Sequence, residues 1–334
     1  MQLSDSQIKN LIKNYDIGNF ISFKKTEKGV VNHNLVITTT KGKFILRCAH
    51  KDRKINELLF EHEFLRQLKS HNFPYKIPYP HTANNRKSIV KFKGRYFWLY
   101  DFIEGSTLLL NKEKIKQVAR MMATMHRIVP DIKIKPKKKR PNPSQIGWLI
   151  KSLKKSKIQA IKKRNKDEKD IFYIKNSDRI ISILKSLKFS GYSSLPRMPI
   201  HSDINYENIL FRKGKLVGII DFDNWQIDTR INDITAFIAY ECRNLNRKNG
   251  LDLSLLKAFF NEYRKYNKIS RKEIRFIPVI AASLYSDAFW WCYHILETDP
   301  YRKYSIKSLR KAFKAANIFY ENREEIEELL LRLV

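Results

Sequence analysis

Several short runs of alternating apolar and polar positions within the first hundred residues predict an antiparallel sheet. β-Branched and aromatic residues dominate these runs, and glycine, lysine or asparagine separate them. The runs lie at 20–23, 35–40, 44–47, 88–90 and 96–100. Between the third and the fourth, apolar residues recur at helical spacing from Leu58 to Leu68 and predict one helix. A small sheet accompanied by a helix is therefore expected in this part of the chain.

Beyond residue 110 the apolar period becomes helical. It predicts helices over 111–128, 146–161, 251–266, 272–296 and 306–334. The exception is a pair of short apolar strands, 209–211 and 216–220, joined by a basic turn that contains Gly214. This pattern predicts a β-hairpin within a mainly helical region.

Oxygen-bearing side chains flank the predicted hairpin. Asp203 and Asn208 precede its first strand, and Asp221 follows its second. Pairing of the strands brings Asn208 and Asp221 to the same open end, where their oxygens suit Mg²⁺. Asp203 is left to accept the proton of an attacking hydroxyl. The arrangement predicts phosphoryl transfer from a nucleoside triphosphate.

The motifs His201-Ser-Asp-x-x-x-x-Asn208 and Ile220-Asp-Phe-Asp223 resemble those of the superfamily of aminoglycoside phosphotransferases, choline kinases and homoserine kinases, which shares the protein-kinase-like fold. No Arg follows His201 and no Gly follows Phe222, which favours small-molecule kinases over protein kinases. The resemblance extends from about residue 15 to the late 200s.

The resemblance implies an α+β, bilobal fold. Residues 1–103 would form a small N-terminal nucleotide-binding lobe, an antiparallel sheet with one helix, preceded by an N-terminal helix that the capping box Ser4-x-x-Gln7 predicts. Residues 104–334 would form a larger, mainly helical C-terminal lobe that carries the catalytic hairpin and the acceptor site. It further implies ATP and Mg²⁺ as cofactors, Asp203 as the catalytic residue, and Asn208 and Asp221 as metal ligands.

The resemblance also assigns nucleotide contacts in the N-terminal lobe. Gly29 and Asn32 fall in the loop that covers the nucleotide, although no glycine-rich motif is present. Arg47, at the end of a strand, would contact the α- and β-phosphates as a planar fork. Glu61 would pair with Arg47.

Two neighbours of Glu61 on the same helix, Glu57 and Glu63, remain alternatives for that pairing. The interlobe hinge is expected at Asp101, Phe102 and Ile103, where backbone groups would face adenine.

Three further residues are expected to support the site. His201 would shape the catalytic loop, Asp233 occupies the position of a supporting Asp in the family, and Asp223 lies two residues after Asp221.

Length and composition constrain the size of the fold and the cellular compartment in which this chemistry takes place. The 334 residues are enough for two lobes, and no run of about 18 apolar residues predicts a membrane span. The three cysteines show no metal-ligand spacing and are expected to be buried thiols in a reducing compartment. The first residues lack a signal-peptide pattern. A cytoplasmic enzyme is therefore expected.

The net charge of +33 leaves two functions open. The first is an ATP- and Mg²⁺-dependent phosphotransferase with a small alcohol as acceptor, which is homoserine-, choline-, sugar- or aminoglycoside-like. The alternative is a weak or inactive kinase-fold protein that binds nucleic acid or another polyanion. It draws on residues 133–169, where fifteen Lys or Arg accompany two acidic residues. A lysine-rich composition of the whole chain also explains that stretch.

Overall fold

The computed structural model describes residues 3–26, 33–50, 52–134, 141–298 and 305–334. The chain divides into two compact units. Unit 1 comprises Met1–Leu108, Ile128–Lys139 and Glu207–Trp225; unit 2 comprises Leu109–Arg127, Arg140–Tyr206 and Gln226–Val334. This partition differs from a single boundary at residue 103 because the segment with the hairpin belongs to unit 1. The functional lobes 1–103 and 104–334 stay a prediction.

Unit 1 contains the predicted antiparallel sheet. Its strands are β1 (Phe20–Lys25), β2 (His33–Thr39), β3 (Gly42–Cys48), β4 (Val90–Phe92) and β5 (Arg95–Asp101), in the order β1-β2-β3-β5-β4. Helix α1 (Asp5–Ile12) begins with a capping box between Ser4 and Gln7, and α2 is Ile55–Ser70. Alternation along β3 and β5 gives the sheet two apolar faces. One packs around Leu46 and Leu99, and the other around Ile45 and Trp98.

The hairpin of unit 1 consists of β7 (Ile209–Arg212) and β8 (Lys215–Ile219), as the sequence predicts. A third segment lies against it. The amide of Ile219 donates to the carbonyl of Lys76 (3.0 Å), and the amide of Lys76 donates to the carbonyl of Val217 (3.0 Å). A Cβ on Gly218 would lie 2.6 Å from the Lys76 carbonyl oxygen. Only glycine therefore permits this close approach without displacement of the backbone.

Unit 2 is mainly helical. Its helices are α3 (Lys112–Ile128, whose last residue belongs to unit 1), α4 (Gly147–Lys162), α5 (Glu168–Ser186), α6 (Arg230–Glu241), α7 (Leu253–Tyr263), α8 (Arg271–Ile274), α9 (Phe276–Thr298), α10 (Ile306–Glu321) and α11 (Arg323–Leu331). Two short strands, β6 (Met198–Ile200) and β9 (Gln226–Asp228), pair antiparallel. Helices α5 and α6 and this pair of strands were not predicted.

The prediction of continuous helices over 272–296 and 306–334 was wrong. The first is interrupted at Arg275, and Pro278 lies in the first turn of α9, where its missing N–H costs no helical hydrogen bond. The second is interrupted at Asn322, whose side-chain amide donates to the Ile318 carbonyl (2.9 Å).

Aromatic stacking on α9 forms much of the core of unit 2. The ring of Tyr173 stacks on Phe289 and on Tyr293, at centroid distances of 4.9 and 3.8 Å. Among the described helices, none has both the length and the apolar character that crossing a bilayer requires.

Candidate active site

One buried carboxylate of unit 2 holds the loop that follows β6. Asp233, on α6, accepts the backbone N–H of His201 through Oδ2 (3.0 Å) and that of Ser202 through Oδ1 (2.6 Å). Ser202 has φ +65°, in the left-handed region that non-glycine residues rarely adopt. The two hydrogen bonds therefore stabilise a turn that serine would not adopt by preference.

The same loop orients the predicted catalytic residue. The backbone N–H of Asp203 donates to Nδ1 of the fully buried His201 (3.2 Å), which assigns the imidazole proton to Nε2. The carboxylate of Asp203 is half-buried, and its Oδ1 accepts a hydrogen bond from the side-chain amide of Asn205 (2.8 Å). Asp203 is thus fixed at both its backbone and its side chain.

A second histidine completes the support of Asp233. His126, buried on α3, lies with Nε2 3.2 Å from Oδ2 of Asp233 and with Nδ1 2.8 Å from the hydroxyl of Tyr263. Both nitrogens are engaged with buried partners, so His126 stabilises the support of the loop and does not face an open site.

In unit 1 the hairpin brings the two predicted metal ligands together. Asn208 directly precedes β7, and its carbonyl accepts the N–H of Ile220 (2.9 Å). Asp221 follows with φ +66° and keeps 41% of its side chain exposed. Asn208 and Asp221 therefore lie at the same end of the hairpin, where an amide oxygen and a carboxylate are the hard donors that Mg²⁺ takes.

Arg47 lies among these acidic residues. Its Nη2 is 3.0 Å from Oδ1 of Asp221 and 2.8 Å from Oδ2 of Asp223, and its guanidinium lies over the ring of Trp98 at 5.4 Å. Burial alone would lower the pKa of Arg47, but Asp223 and Asp221 raise it well above its ordinary value. A fixed positive charge is thus held beside the predicted metal ligands.

The pairing of Arg47 with Glu61, expected from the sequence, is not the one the structure forms. Glu61 is buried on α2, and its Oε2 accepts a hydrogen bond from Nη2 of Arg53 (3.1 Å). Burial raises the pKa of Glu61 and Asp223 adds to this rise, while Arg47 and Arg53 oppose it. Arg47 instead pairs with the two aspartates that follow β8, which provide the nearer carboxylates.

Arg53 is a residue of this site that sequence reasoning missed. Besides Glu61 it contacts Glu57 (3.3 Å) and the backbone carbonyl of Asp223 (3.3 Å). The signal was the spacing of four between Glu57 and Glu61, which places both carboxylates on one face of α2, with Arg53 in the segment just before the helix.

The predicted hinge residues lie at the end of β5 and directly after it. Asp101 ends β5, is exposed, and accepts a hydrogen bond from Nε2 of His81 (2.8 Å). The amide of Phe102 donates to the Lys43 carbonyl (3.0 Å), and Ile103 is buried. The backbone N–H of Phe102 is therefore already engaged in a hydrogen bond with β3.

The predicted nucleotide contacts Gly29 and Asn32 lie outside the described residues.

The site residues thus fall into two sets, one in each unit. Unit 2 holds Asp203 with its supports His201 and Asp233; unit 1 holds Arg47, Glu61, Asn208, Asp221 and Asp223. A general base with a fixed backbone, and oxygen donors beside a fixed cation, are the parts that phosphoryl transfer requires. The fold and these residue types are those expected of a kinase-like phosphotransferase.

Comparison with known proteins identifies the family. Residues 22–269 match the model of the phosphotransferase enzyme family, and the chain belongs to that family. A homoserine kinase of Bradyrhizobium sp. is 28% identical, with 82% of this chain and 79% of the relative covered. A homoserine kinase of Neisseria meningitidis is 24% identical, with 83% and 84% covered.

A solved structure shows the same fold. Spectinomycin phosphotransferase, in complex with ADP and spectinomycin, superimposes with a TM-score of 0.69 at 14% identity, and 97% of this chain and 100% of that chain are covered. The predicted α+β, kinase-like fold is confirmed. The chain is a phosphotransferase that acts on an alcohol group of a small molecule.

Proposed function

We propose that the chain is an ATP- and Mg²⁺-dependent kinase whose acceptor is the hydroxyl group of homoserine or a close amino-acid alcohol. Asp203 accepts the hydroxyl proton as the acceptor oxygen bonds to the γ-phosphorus. The bond from that phosphorus to the β–γ bridging oxygen breaks, and ADP leaves. The observation that carries this proposal is the fixed presentation of Asp203 by Asp233, His201 and Asn205.

The residues at the end of the hairpin fit a metal that arrives with the nucleotide. Across the described part of the chain, no group of three or more His, Cys, Asp or Glu could hold an ion by itself. Mg²⁺ usually takes one or two carboxylates together with substrate phosphates, and Asn208 and Asp221 would supply the protein's share. The bound ion would neutralise charge on the phosphates.

Arg47 supports the binding of phosphate. Its Nε–H is buried and has no hydrogen-bond acceptor among the described residues. An unpaired buried donor is costly, and an anionic ligand would satisfy it. Arg53 would hold Glu61 and Asp223 while Arg47 contacts the nucleotide.

Two observations support homoserine over the other acceptors. Both relatives described above are homoserine kinases, and they cover about four fifths of this chain. A chain with a net charge of +33 repels polycations, which disfavours an aminoglycoside as acceptor. A zwitterionic amino acid meets no such repulsion.

The polyanion-binding alternative receives less support. Several lysines of the basic stretch lie in ion pairs of unit 2. Lys157 contacts Asp178 (2.6 Å), and Lys163 contacts both Asp170 (2.7 Å) and Glu297. These pairs favour a structural role for part of the stretch.

The proposal is tested by measuring ADP release from Mg-ATP with a panel of alcohols. The panel holds L-homoserine, choline, a hexose and an aminoglycoside, and product phosphate esters are identified by mass spectrometry. We expect O-phosphohomoserine as the main product, and no turnover after chelation of the metal. A main product from another alcohol would reject homoserine, and absence of any phosphate ester would reject the kinase.

A further inference from the structure

A tyrosine pair in unit 2 joins the end of α6 to α9. The rings of Tyr240 and Tyr285 meet edge to face at a centroid distance of 5.4 Å. The hydroxyl of Tyr285 donates to the carbonyl of Ala239 and accepts a hydrogen bond from Nη1 of Arg243 (2.9 Å). Tyr285 is therefore fixed, and it fixes the guanidinium of Arg243 in turn.

Three charged groups act electrostatically on the phenol of Tyr240, a residue that is 37% exposed. Burial raises the pKa of Tyr240 well above its ordinary value, and Tyr285, Asp287 and Asp203 raise it further. Arg243 acts in the opposite direction. The carboxylate that accepts the hydroxyl proton, a second carboxylate and a guanidinium thus act on one side chain.

Asp287 has no evident structural role. It lies on a partly exposed face of α9 together with Leu284, Ala288 and Trp291. Burial raises its pKa to about 6, and no hydrogen bond or ion pair links its carboxylate to any other described residue. A half-buried carboxylate without a cation is costly, and a cationic ligand group would stabilise it.

A second cation lies near Arg243. Arg243 forms no ion pair with a carboxylate of the described residues. Lys311, on α10, is close enough that Arg243 lowers its pKa, in addition to the effect of burial. Two neighbouring cations of this kind attract an anion, and the planar fork of arginine suits a carboxylate.

We propose that Asp287 and Arg243 bind the ammonium and the carboxylate of an α-amino acid whose side-chain hydroxyl is directed to Asp203. The proposal rests on the proposed function, and it names the residues that recognise the acceptor. Lys311 adds attraction for the carboxylate.

The wild-type enzyme gives the first test. Kinetics are measured with L-homoserine, with 3-amino-1-propanol, which lacks the carboxylate, and with 4-hydroxybutyrate, which lacks the ammonium. We expect kcat/KM for each analogue to be about 100-fold lower than for homoserine, because each leaves one half-buried charge unpaired. Equal kcat/KM for all three alcohols would overturn the proposal.

Variants then assign each charge to its residue. Arg243→Met should lower kcat/KM for homoserine about 100-fold and leave that for 3-amino-1-propanol nearly unchanged, because this alcohol has no carboxylate to lose. Asp287→Asn should act in the same way on homoserine and leave 4-hydroxybutyrate nearly unchanged. Arg243→Lys keeps the charge and should restore part of the loss.

The controls separate failure of this proposal from failure of the proposed function. Arg247→Met, at an exposed position four residues after Arg243, should change none of the three rates. The KM for ATP and the Tm of each variant report on folding and on nucleotide binding. If homoserine is phosphorylated but both variants lose the same factor on all three alcohols, the recognition proposal alone is rejected. If no alcohol is phosphorylated, both are rejected.

Discussion

At the scale of single residues, the proposed base, Asp203, is held in place by hydrogen bonds from the residues around it. Asp233 accepts two backbone amides, and the loop it holds includes the left-handed Ser202. The carboxylate of Asp203 accepts a hydrogen bond from the side-chain amide of Asn205, and the backbone N–H of Asp203 donates one to His201. A base held in one geometry loses little entropy on reaching the transition state.

Replacement of the base should separate turnover from nucleotide binding. Asp203→Asn keeps the size of the side chain and removes its capacity to accept a proton. We expect kcat to fall by about 10²- to 10⁴-fold, with the Kd for ATP within about twofold of wild type. Kinetics and calorimetry measure the two quantities. Asp178→Asn, at an exposed position, is the control, and unchanged kcat in Asp203→Asn would remove the residue from its role.

A histidine away from the chemistry should make stability depend on pH. His62 is fully buried, its Nδ1 lies 2.8 Å from the Ser88 hydroxyl, and burial, then Arg66, Arg47 and Arg53, lower its pKa to about 3. Between pH 6.5 and about 3 the unfolded chain binds a proton there and the folded chain does not. Stability should therefore fall by about 1.4 kcal/mol per pH unit below 6.5.

The measurement compares how the free energy of unfolding depends on pH in the wild type and in one variant. Urea unfolding from pH 7.5 to 4.5 is followed for the wild type and for His62→Gln, which keeps a polar group for Ser88 but does not titrate. The variant should be less stable at pH 7.5, and the difference should shrink towards pH 4.5. A constant difference across this range would contradict the assigned pKa.

At the scale of secondary-structure elements, Arg53 connects α2 to the segment after β8. It contacts Glu57 and Glu61 on the helix and the backbone carbonyl of Asp223. Arg53→Met should leave the buried carboxylate of Glu61 without its cation and cost about 3 kcal/mol of stability. Since Asp223 also contacts Arg47, the KM for ATP should rise about tenfold.

The control for this substitution is an arginine on α2 itself. Arg66→Met removes a partly exposed arginine whose nearest carboxylate, that of Glu63, is 3.7 Å away. It should change stability by less than about 0.5 kcal/mol and leave the KM for ATP unaltered. Equal effects of the two substitutions would show that Arg53 contributes only general surface charge.

The elements differ in how far the sequence predicts them. The sheet, α2 and the β7–β8 hairpin follow from regular apolar periods and were predicted. The interruption at Arg275 was missed although Pro278 signalled a first turn. The three-residue strands β6 and β9 are too short to show a period, and the approach of Lys76 to Gly218 depends on residues far apart in the chain.

The residues of the candidate site also differ in how far the sequence predicts them. The local motif gave Asp203, Asn208 and Asp221, because their spacing is fixed by one loop and one hairpin. The sequence predicted that Arg47 pairs with Glu61, whereas in the structure Arg47 contacts Asp221 and Glu61 contacts Arg53. Pairing among buried charges depends on distances that a linear sequence does not contain. Asp287 and Arg243 belong to no motif, and only their shared electrostatic effect on Tyr240 relates them.

At the scale of the whole molecule, the net charge of +33 should act on the two substrates differently. ATP is a polyanion, so the field of the protein raises its local concentration, and salt screens this attraction. A zwitterion has no net charge and experiences little of that field. The salt dependence of each KM therefore reports the charge class of the substrate without any substitution in the protein.

Raising NaCl from about 20 to about 200 mM should increase the KM for ATP several-fold and leave the KM for homoserine within about twofold. Sucrose at matched osmolarity is the control, because it changes water activity without screening charge. A polycationic acceptor behaves in the opposite way, since screening relieves its repulsion and lowers its KM. An acceptor KM that falls steeply with salt would therefore contradict an amino-acid substrate and indicate an aminoglycoside-like one, whereas a steep rise would indicate an anionic acceptor.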